Sequence, residues 1–433
     1  MIASTLSILI FVVSLVLIFS EKVQRSIVAT VGAALMVGVG ILFGFYSEEE
    51  AIAAIDFETL GLLLGMMLMV VLLQQTGFFE YLAIMAGRLS RGKPIRLFIL
   101  LGTTTTVLSM VLDNVTTVVL IAPVTILICE LLNISPIPML IGEALLSNTG
   151  GAGTLVGDPP NILIGAAAPF TFNDFLVHSL PVVVVTWLLV LLLLLWLFRK
   201  DLRSIPGAAE RVKKLDPAKA LNEPQSARRL LIVLGVAVAF FFLHNTLHIS
   251  PAFIALAAAG AALLWVRPDD VPKTFEKIEW VVLIFFSALF VMVGGLEAAG
   301  VMEQLSHLLI QVSDSHPILL GVGMLWTVAV LSALVDNIPI TIALIPVIKN
   351  LGLEGIDVTP LWWALVFGAG FGGNGTIIGS TANIVVVSLS EKTRTPITSA
   401  LWNKRGLPVM ILACVVASLL YAIFFPWFTE HAR

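Results

Sequence analysis

Charged side chains are scarce in this sequence. Asp, Glu, Lys and Arg make up 12% of the 433 residues, whereas a typical soluble domain carries about 25%. Hydrophobic residues make up 58%, and several apolar runs reach the roughly 20 residues that a helix needs to cross a bilayer. This composition excludes an ordinary soluble domain. It predicts a multi-pass protein of the cell (inner) membrane, surrounded by the lipid bilayer, that is not an enzyme and has no nucleic acid as a partner.

Cysteine, metal-binding patterns and nucleotide-binding motifs are missing or nearly so. Cys129 and Cys414 are the only two cysteines, which excludes a disulfide framework. The histidines show no metal-ligand spacing, and no Walker motif is present. We therefore expect no bound metal or other cofactor. Transport would be driven by an ion gradient, with H+ or Na+ as the coupling ion, or by a separate ATPase subunit.

A glycine-rich stretch within apolar sequence occurs twice. Residues 150–162 read GGAGTLVGDPPNI and residues 372–384 read GGNGTIIGSTANI, so seven of thirteen positions are identical at an offset of 222. The glycines of both stretches, and the two prolines of the first, forbid a continuous helix. We predict that each stretch is the break of a discontinuous membrane helix. Close packing between helices is the alternative role of such glycines.

A second duplicated motif lies upstream of each glycine-rich stretch. Residues 112–115 read LDNV and residues 335–338 read VDNI, 223 positions apart. A proline follows each motif at the same distance, as Pro123 and Pro346. Irregular segments at corresponding positions of two halves point to the binding site of a secondary transporter.

The duplication divides the chain into two transmembrane repeats. We predict a first repeat over residues 1–200, a cytoplasmic linker over 201–228 and a second repeat over 229–433. The predicted fold class is an all-α polytopic membrane protein with two inverted-topology repeats, each with five spans, one re-entrant hairpin and one broken helix. The hairpins are expected near residues 97–132 and 318–348, and the broken helices near 139–168 and 361–389.

Positive charge is distributed unevenly among the predicted loops. If each hairpin enters and leaves on one side, each repeat has five full spans, and an odd number inverts the second repeat relative to the first. With the basic linker in the cytoplasm, 22 of the 24 Lys and Arg residues fall on the cytoplasmic side. Only Lys349 and Arg433 fall outside. This distribution predicts that both termini are external.

Polar groups at the two breaks and the two hairpin tips form the predicted substrate site. Unwound backbone is tolerated at membrane depth only where it is buried in protein or lines a wet cavity. We therefore expect breaks and tips to meet near the midplane. The predicted substrate-binding residues are amides, hydroxyls and two glycines with freed backbone amides: Asn114, Thr116, Asn148, Gly151, Thr154, Asn161, Asn337, Thr341, Gly373, Asn374, Thr376 and Asn383.

Three carboxylates in the same segments are the predicted ligands of the coupling ion: Asp113, Asp158 and Asp336. Intramembrane carboxylates usually mark ion or proton pathways. The alternative for Asp113 and Asp336 is that each caps its own hairpin turn. The alternative for Asp158, whose counterpart is Ser380, is an Asp-Pro-Pro turn that faces water. Apart from Lys349, no Lys or Arg lies in an apolar segment, so an anionic substrate would depend on helix N-termini or a co-bound cation.

A family resemblance is carried by these same motifs. DNVTT at 113–117, SN at 147–148 with the following glycines, GDPPN at 157–161, DNIP at 336–339 and GNGT at 373–376 resemble the ion transporter superfamily. The branch is that of the arsenite/antimonite permeases, the melanosomal P-protein and NhaD-type sodium/proton antiporters. The resemblance spans essentially the whole chain and implies elevator-type alternating access with proton or sodium coupling. The hairpin tips differ from the Ser-Asn-Thr of the dicarboxylate-transporter branch.

The resemblance and the polar inventory favour one substrate and leave others open. We predict proton-coupled efflux of arsenite and antimonite, which are uncharged trihydroxides at neutral pH. The alternatives are a sodium/proton antiporter, an organic-anion or citrate-type permease, and an anion channel like that proposed for the P-protein. The expected partner is a small inorganic or organic solute. A soluble ATPase subunit or a second copy in a homodimer is the candidate protein partner.

Overall fold

All regular secondary structure that the computed structural model describes is helical. The described residues are 2–19, 22–168, 170–203, 207–213, 215–302, 316–391, 393 and 396–430. Within them, eight helices are long and apolar enough to cross a bilayer. A helix satisfies its backbone polar groups within one segment, which is what hydrocarbon requires. The predicted all-α class is confirmed. Lys214, Lys392, Arg394 and Arg433, which belong to the predicted charge distribution, lie outside the described residues.

The described helices of the first repeat have from 6 to 26 residues. Its helices in chain order are α1 (Ile2–Phe19), α2 (Arg25–Phe43), α3 (Glu48–Ala53), α4 (Phe57–Gln75), α5 (Phe78–Leu89), α6 (Pro94–Ser109), α7 (Asn114–Leu132), α8 (Ile137–Gly151), α9 (Pro159–Ala167) and α10 (Phe172–Leu197). Local sequence explains several starts. Ser47 and Glu50 form a capping box at α3, and Asp56 accepts bonds from the first backbone N–H groups of α4.

The linker and the second repeat follow. Their helices in chain order are α11 (Ala208–Lys213), α12 (Pro224–Leu247), α13 (Pro251–Val266), α14 (Val271–Glu276), α15 (Trp280–Ala298), α16 (Pro317–Val335), α17 (Asn337–Leu353), α18 (Thr359–Gly372), α19 (Thr381–Ser390) and α20 (Ser399–Ile423). The linker packs against the first repeat. The amide N of Asn222 donates to the carbonyl O of Thr76 at 2.9 Å, and Gly77 has a φ of +76° and no room for a side chain beside Ala220.

Helix contacts are exchanged between the repeats. Helix α2 packs against α15, and α13, the counterpart of α2, packs against α4, the counterpart of α15. In the same way α7 packs against α19, and α17 packs against α9, while α10 packs against its own counterpart α20. Reciprocal exchange of this kind is produced by a two-fold axis. The contacts are those expected of the predicted inverted-topology repeats, which such an axis relates.

The same hydrogen bond joins hairpin to broken helix in both repeats. In the first repeat, the hydroxyl of Thr154 donates to the carbonyl O of Met110, 44 residues earlier. In the second, the hydroxyl of Thr376 donates to the carbonyl O of Ala333, 43 residues earlier. A second equivalent pair is Ser109 to the carbonyl O of Ser147 and Ser332 to the carbonyl O of Ala369, each at 2.9 Å.

The helices around the site form two groups. The central assembly comprises the hairpins α6–α7 and α16–α17 and the broken helices α8–α9 and α18–α19, which pack on one another. The frame helices are α2, α4, α13 and α15. Two of the helices that qualify as spans by length, α7 and α16, are hairpin arms, whereas the frame helix α13 has 16 residues. At 1.5 Å per residue such a helix is about 24 Å long, slightly less than a typical hydrocarbon core.

Candidate functional site

The first hairpin tip and the second broken helix meet at one side chain, Asn148. Its amide N donates to the Oδ1 atoms of Asn374 and Asn383, at 3.1 and 3.0 Å. Its Oδ1 accepts from Asn114 at the first tip and from Ser380 at the second break, both at 3.1 Å. All five side chains are buried. We call Asn114, Asn148, Asn374 and Asn383 the amide network, and it joins the two repeats.

Each break is held by an asparagine at the same position of the repeat. The amide N of Asn161 donates to the carbonyl oxygens of Gly151 and Thr154, at 3.0 and 2.8 Å. That of Asn383 donates to the carbonyl oxygens of Gly373 and Thr376, at 2.7 and 2.9 Å. A helix end leaves carbonyl groups without an intrahelical partner. The two asparagines bind the carbonyl groups that the breaks leave.

The backbone amides of Gly151 and Gly373, predicted to be free, belong to the helices that end there. Gly151 is the last residue of α8, and the amide N of Gly373 donates to the carbonyl O of Ala369 at 3.4 Å. The prediction failed because a helix that stops at its C-terminal end frees carbonyl groups, not amides. Close packing accounts for other glycines of the stretch. A Cβ on Gly157 would lie 2.5 Å from the carbonyl O of Gly151.

Asp113 and Asp336 both cap the helix that follows them. Asp113 accepts from the amide N of Thr116 at 2.8 Å and also from the Thr116 hydroxyl. Asp336 accepts from the amide N of Asn337 at 2.8 Å, in a backbone conformation with φ +83° that only few non-glycine residues adopt. The capping alternative therefore applies to both. Thr341 likewise bonds within its own hairpin, donating to the carbonyl O of Asn337 at 2.8 Å.

Asp158 links the first break to the second tip. Asp158 is 1% exposed. Its two carboxylate oxygens accept from the side-chain Nδ2 of Asn337 at 3.2 and 3.1 Å. The alternative of a turn that faces water is therefore wrong. Ser380, its counterpart, bonds to Asn148, which also holds Asn114 of the first tip. Each break is thus connected to the hairpin tip of the other repeat.

A cation that sequence reasoning missed reaches the second tip. Arg25 is the first residue of α2. Its Nη1 lies 3.0 Å from Oδ2 of Asp336 and 2.7 Å from the hydroxyl oxygen of Thr381. Its guanidinium lies over the ring of Phe285 on α15, 5.3 Å from the centroid. An anionic group at this tip would therefore not depend on helix N-termini alone, as the sequence predicted.

Glu279 adds a further carboxylate beside this cation. It precedes α15 and is half-buried. The pKa of Glu279 is raised to about 7, chiefly by burial and next by the negative charge of Asp113, while Arg25 lowers it. Charged groups of both repeats therefore lie within electrostatic reach of one another at this edge of the site. Such a group can change charge in the neutral pH range.

Comparison with known proteins places these features in context. A family model described as citrate transporter matches residues 15–368. A 46 kDa membrane protein of Mycobacterium leprae is 37% identical over 426 residues, which cover 96% of this chain and 97% of that protein. An uncharacterized transporter of Mycobacterium tuberculosis is 40% identical over 434 residues, with 97% and 100% covered. The human P protein is 32% identical over 484 residues, which cover 92% of this chain and 57% of the P protein.

One solved structure shares the fold. The YdaH transporter of Alcanivorax borkumensis, described as having an unusual topology, superposes with a TM-score of 0.58. The match covers 98% of both chains at 16% sequence identity. At that identity the likeness concerns the arrangement of helices and not the solute.

Proposed function

The chain belongs to the citrate transporter family, and on that premise we propose that it is a secondary active transporter coupled to H+ or Na+. The observation that carries this proposal is the position of Asp158, which is buried where the first break meets the second hairpin tip. A carboxylate at membrane depth is costly unless it is protonated or paired. Binding and release of a small cation at Asp158 would alter its bond to Asn337 and so link the ion to the two repeats.

Elevator-type movement is the mechanism that we propose for alternating access. The central assembly is held together by hydrogen bonds within and between repeats, so it can move as one body. The frame helices form a separate surface through the α2–α15 and α4–α13 contacts. Each hairpin would re-enter the membrane from one side, as predicted from the charge distribution. Movement of the central assembly along the frame would expose the site to each side in turn.

As the first solute we propose arsenite and antimonite, moved outward against entering protons. The lining contains amides and hydroxyls, which donate to and accept from the hydroxyl groups of an uncharged trihydroxide. The amides now bond to one another, so the solute would replace bonds such as that from Asn114 to Asn148. Cys129 and Cys414 are buried and are not members of the amide network, so arsenic–sulfur bonds are not required.

A small organic anion is the second candidate. Arg25 is the observation that favours it, because a guanidinium binds carboxylates in a bidentate manner. The description of the family model as a citrate transporter points the same way. Sodium/proton exchange without a further solute needs only the three carboxylates. A measurement of Na+ flux in liposomes detects it.

The test is transport by the purified chain in liposomes. Arsenite, citrate and Na+ fluxes are measured with an imposed proton gradient, an imposed sodium gradient and neither. We expect gradient-dependent arsenite flux that survives in a variant with Cys129→Ala and Cys414→Ala. Citrate flux without arsenite flux would move the assignment to the organic anion. Fluxes that are the same with and without either gradient would refute a coupled transporter.

A further inference from the structure

We propose that Arg25 is an internal counter-ion for Asp336, which the coupling cation has to displace. The inference rests on the proposed function, in which a cation binds among the site carboxylates and the central assembly moves along the frame. In the structure described here, the guanidinium occupies the position at Asp336 that a cation would take. Arg25 thus makes the affinity for the coupling cation lower than the carboxylates alone would produce, and it ties cation binding to a contact between frame and central assembly.

The geometry at Asp336 is that of an enclosed ion pair. Nη1 of Arg25 bonds to Asp336 and Thr381, and the hydroxyl of Thr381 also lies 3.3 Å from Oδ2 of Asp336. The side chains of Arg25 and Asp336 are 26% and 12% exposed. The ring of Phe285 covers the guanidinium. An ion pair with so little water around it is costly to break unless another cation replaces the one that leaves.

The pair connects two bodies that the proposed movement would separate. Arg25 and Phe285 belong to frame helices, whereas Asp336 and Thr381 belong to the second hairpin and the second broken helix. Asp336 also caps Asn337, which in turn binds Asp158. A change at Arg25 is therefore passed through two adjacent residues to the buried carboxylate of the first repeat.

Among the described residues, the symmetry-related position has no copy of this arrangement. At the offset of 223 the residue that corresponds to Arg25 is His248, an exposed residue at the C-terminal end of α12. The residue that corresponds to Thr381 is Pro159, which has no hydroxyl. The bonds of Asn161 and Thr154 within the first repeat are duplicated by those of Asn383 and Thr376, whereas the ion pair is not. It stabilises the arrangement in which the second tip lies beside the start of α2.

Other charged groups face the pair from neighbouring elements. Glu279 lies at the start of α15, Asp113 at the first tip and Asp158 at the first break. Without Arg25, less positive charge would compensate the negative charges of these carboxylates and of Asp336. An opposite charge at hydrogen-bond distance changes the cation affinity of a carboxylate by about tenfold or more. Removal of Arg25 should therefore tighten cation binding.

The test compares Arg25→Gln, Arg25→Lys and wild type, each as the full chain. Cation binding is measured as thermal stabilisation by NaCl against choline chloride at constant pH, and by acidification in choline chloride. The gradient dependence of transport is measured in liposomes. We expect Arg25→Gln to bind the coupling cation about tenfold more tightly or better and to transport more slowly, because the cation leaves less readily. Arg25→Lys should lie between the two.

The control is Lys273→Gln. Lys273 forms an ion pair with Asp270 of the same length, 3.0 Å, but within a single exposed segment, so cation affinity should not change. Unchanged affinity in Arg25→Gln, with cation dependence intact in wild type, would overturn the counter-ion and leave the proposed function standing. Absence of any cation effect in wild type would overturn both. If Arg25→Gln does not fold, Thr381→Val removes one of the two bonds to the guanidinium and should tighten binding by a smaller factor; no change would count against the proposal.

Discussion

Asn337 of the second repeat donates its side-chain amide to both carboxylate oxygens of Asp158 in the first repeat, at 3.2 and 3.1 Å. The bond spans 179 residues of sequence and joins the tip of one hairpin to the break of the opposite broken helix. An amide has both a donor and an acceptor. Asn337 could therefore stay bonded to Asp158 when a cation neutralises this buried carboxylate.

Replacement of Asp158 by Asn should separate coupling from folding. The two amides can still pair, so the variant should fold and reach the membrane. It should lose gradient-driven flux down to the level of protein-free liposomes, because no group is left there to bind H+ or Na+. Asp357→Asn, at an exposed site, is the matched control and should transport like wild type. Normal gradient-driven flux in Asp158→Asn would remove this carboxylate from coupling.

The two break asparagines should differ in how much they stabilise the protein. Asn161→Ala leaves the carbonyl oxygens of Gly151 and Thr154 without their partner, at a cost of about 1–3 kcal/mol per buried group. Asn383→Ala does the same in the second repeat and also takes an acceptor from Asn148. Thermal unfolding in detergent should therefore show a larger loss for Asn383→Ala. Equal or reversed losses would contradict the role of the amide network.

Glycine substitutions should be tolerated according to local space. A Cβ on Gly157 would lie 2.5 Å from one carbonyl oxygen and 2.7 Å from another, and a Cβ on Gly379 would lie 2.8 Å from one. Backbone atoms cannot move aside cheaply, so both alanine variants should lose at least about 1–3 kcal/mol, Gly157→Ala the more. Gly235, in α12, has open space around it. Gly235→Ala should be neutral or stabilising by up to about 1 kcal/mol. Monodisperse yield and melting temperature measure all three.

Glu279 should make stability depend on pH near neutrality. Its pKa in the folded protein is about 7, above the ordinary value of 4.5. A raised pKa means that the folded state binds the proton more tightly, so this contribution is complete below about 4.5 and is lost as the pH rises through 7. Melting temperatures of wild type and Glu279→Gln, measured from pH 4.5 to 8, should diverge towards high pH, with wild type the lower. Parallel curves would show that Glu279 does not titrate in this range.

The sequence predicted the elements of the site better than their bonds. Helix breaks follow from Gly and Pro, whose backbone properties are local, and the duplication of 150–162 at 372–384 identified both at once. The structure brings Asn114, Asn148, Asn374 and Asn383 together, as their positions suggested. Their bonds to one another could not be predicted, because which donor meets which acceptor depends on distances between helices that no linear pattern encodes.

Arg25 is another residue whose contacts the sequence could not predict. Its place just before an apolar run is typical of a residue at the membrane surface. Only the packing of α2 against α15, and of both beside the second hairpin, brings its guanidinium to Asp336. The choice between a buried and a water-facing Asp158 stayed open for a similar reason. An Asp-Pro-Pro sequence is common in exposed turns, and its surroundings here come from the other repeat.

The bond from Thr154 to Met110 spans 44 residues, and the matching bond from Thr376 to Ala333 spans 43. This difference has a practical consequence for protein engineering. The extra residue falls between Pro123 and the first glycine-rich stretch, a segment that contains the connection from α7 to α8. The corresponding connection after α17 is a short loop, in which Gly355 is exposed and has a φ of +88° and open space around it. An epitope tag inserted at Gly355 should leave the site intact. Antibody labelling of whole and permeabilised cells would then reveal which side of the membrane this loop occupies.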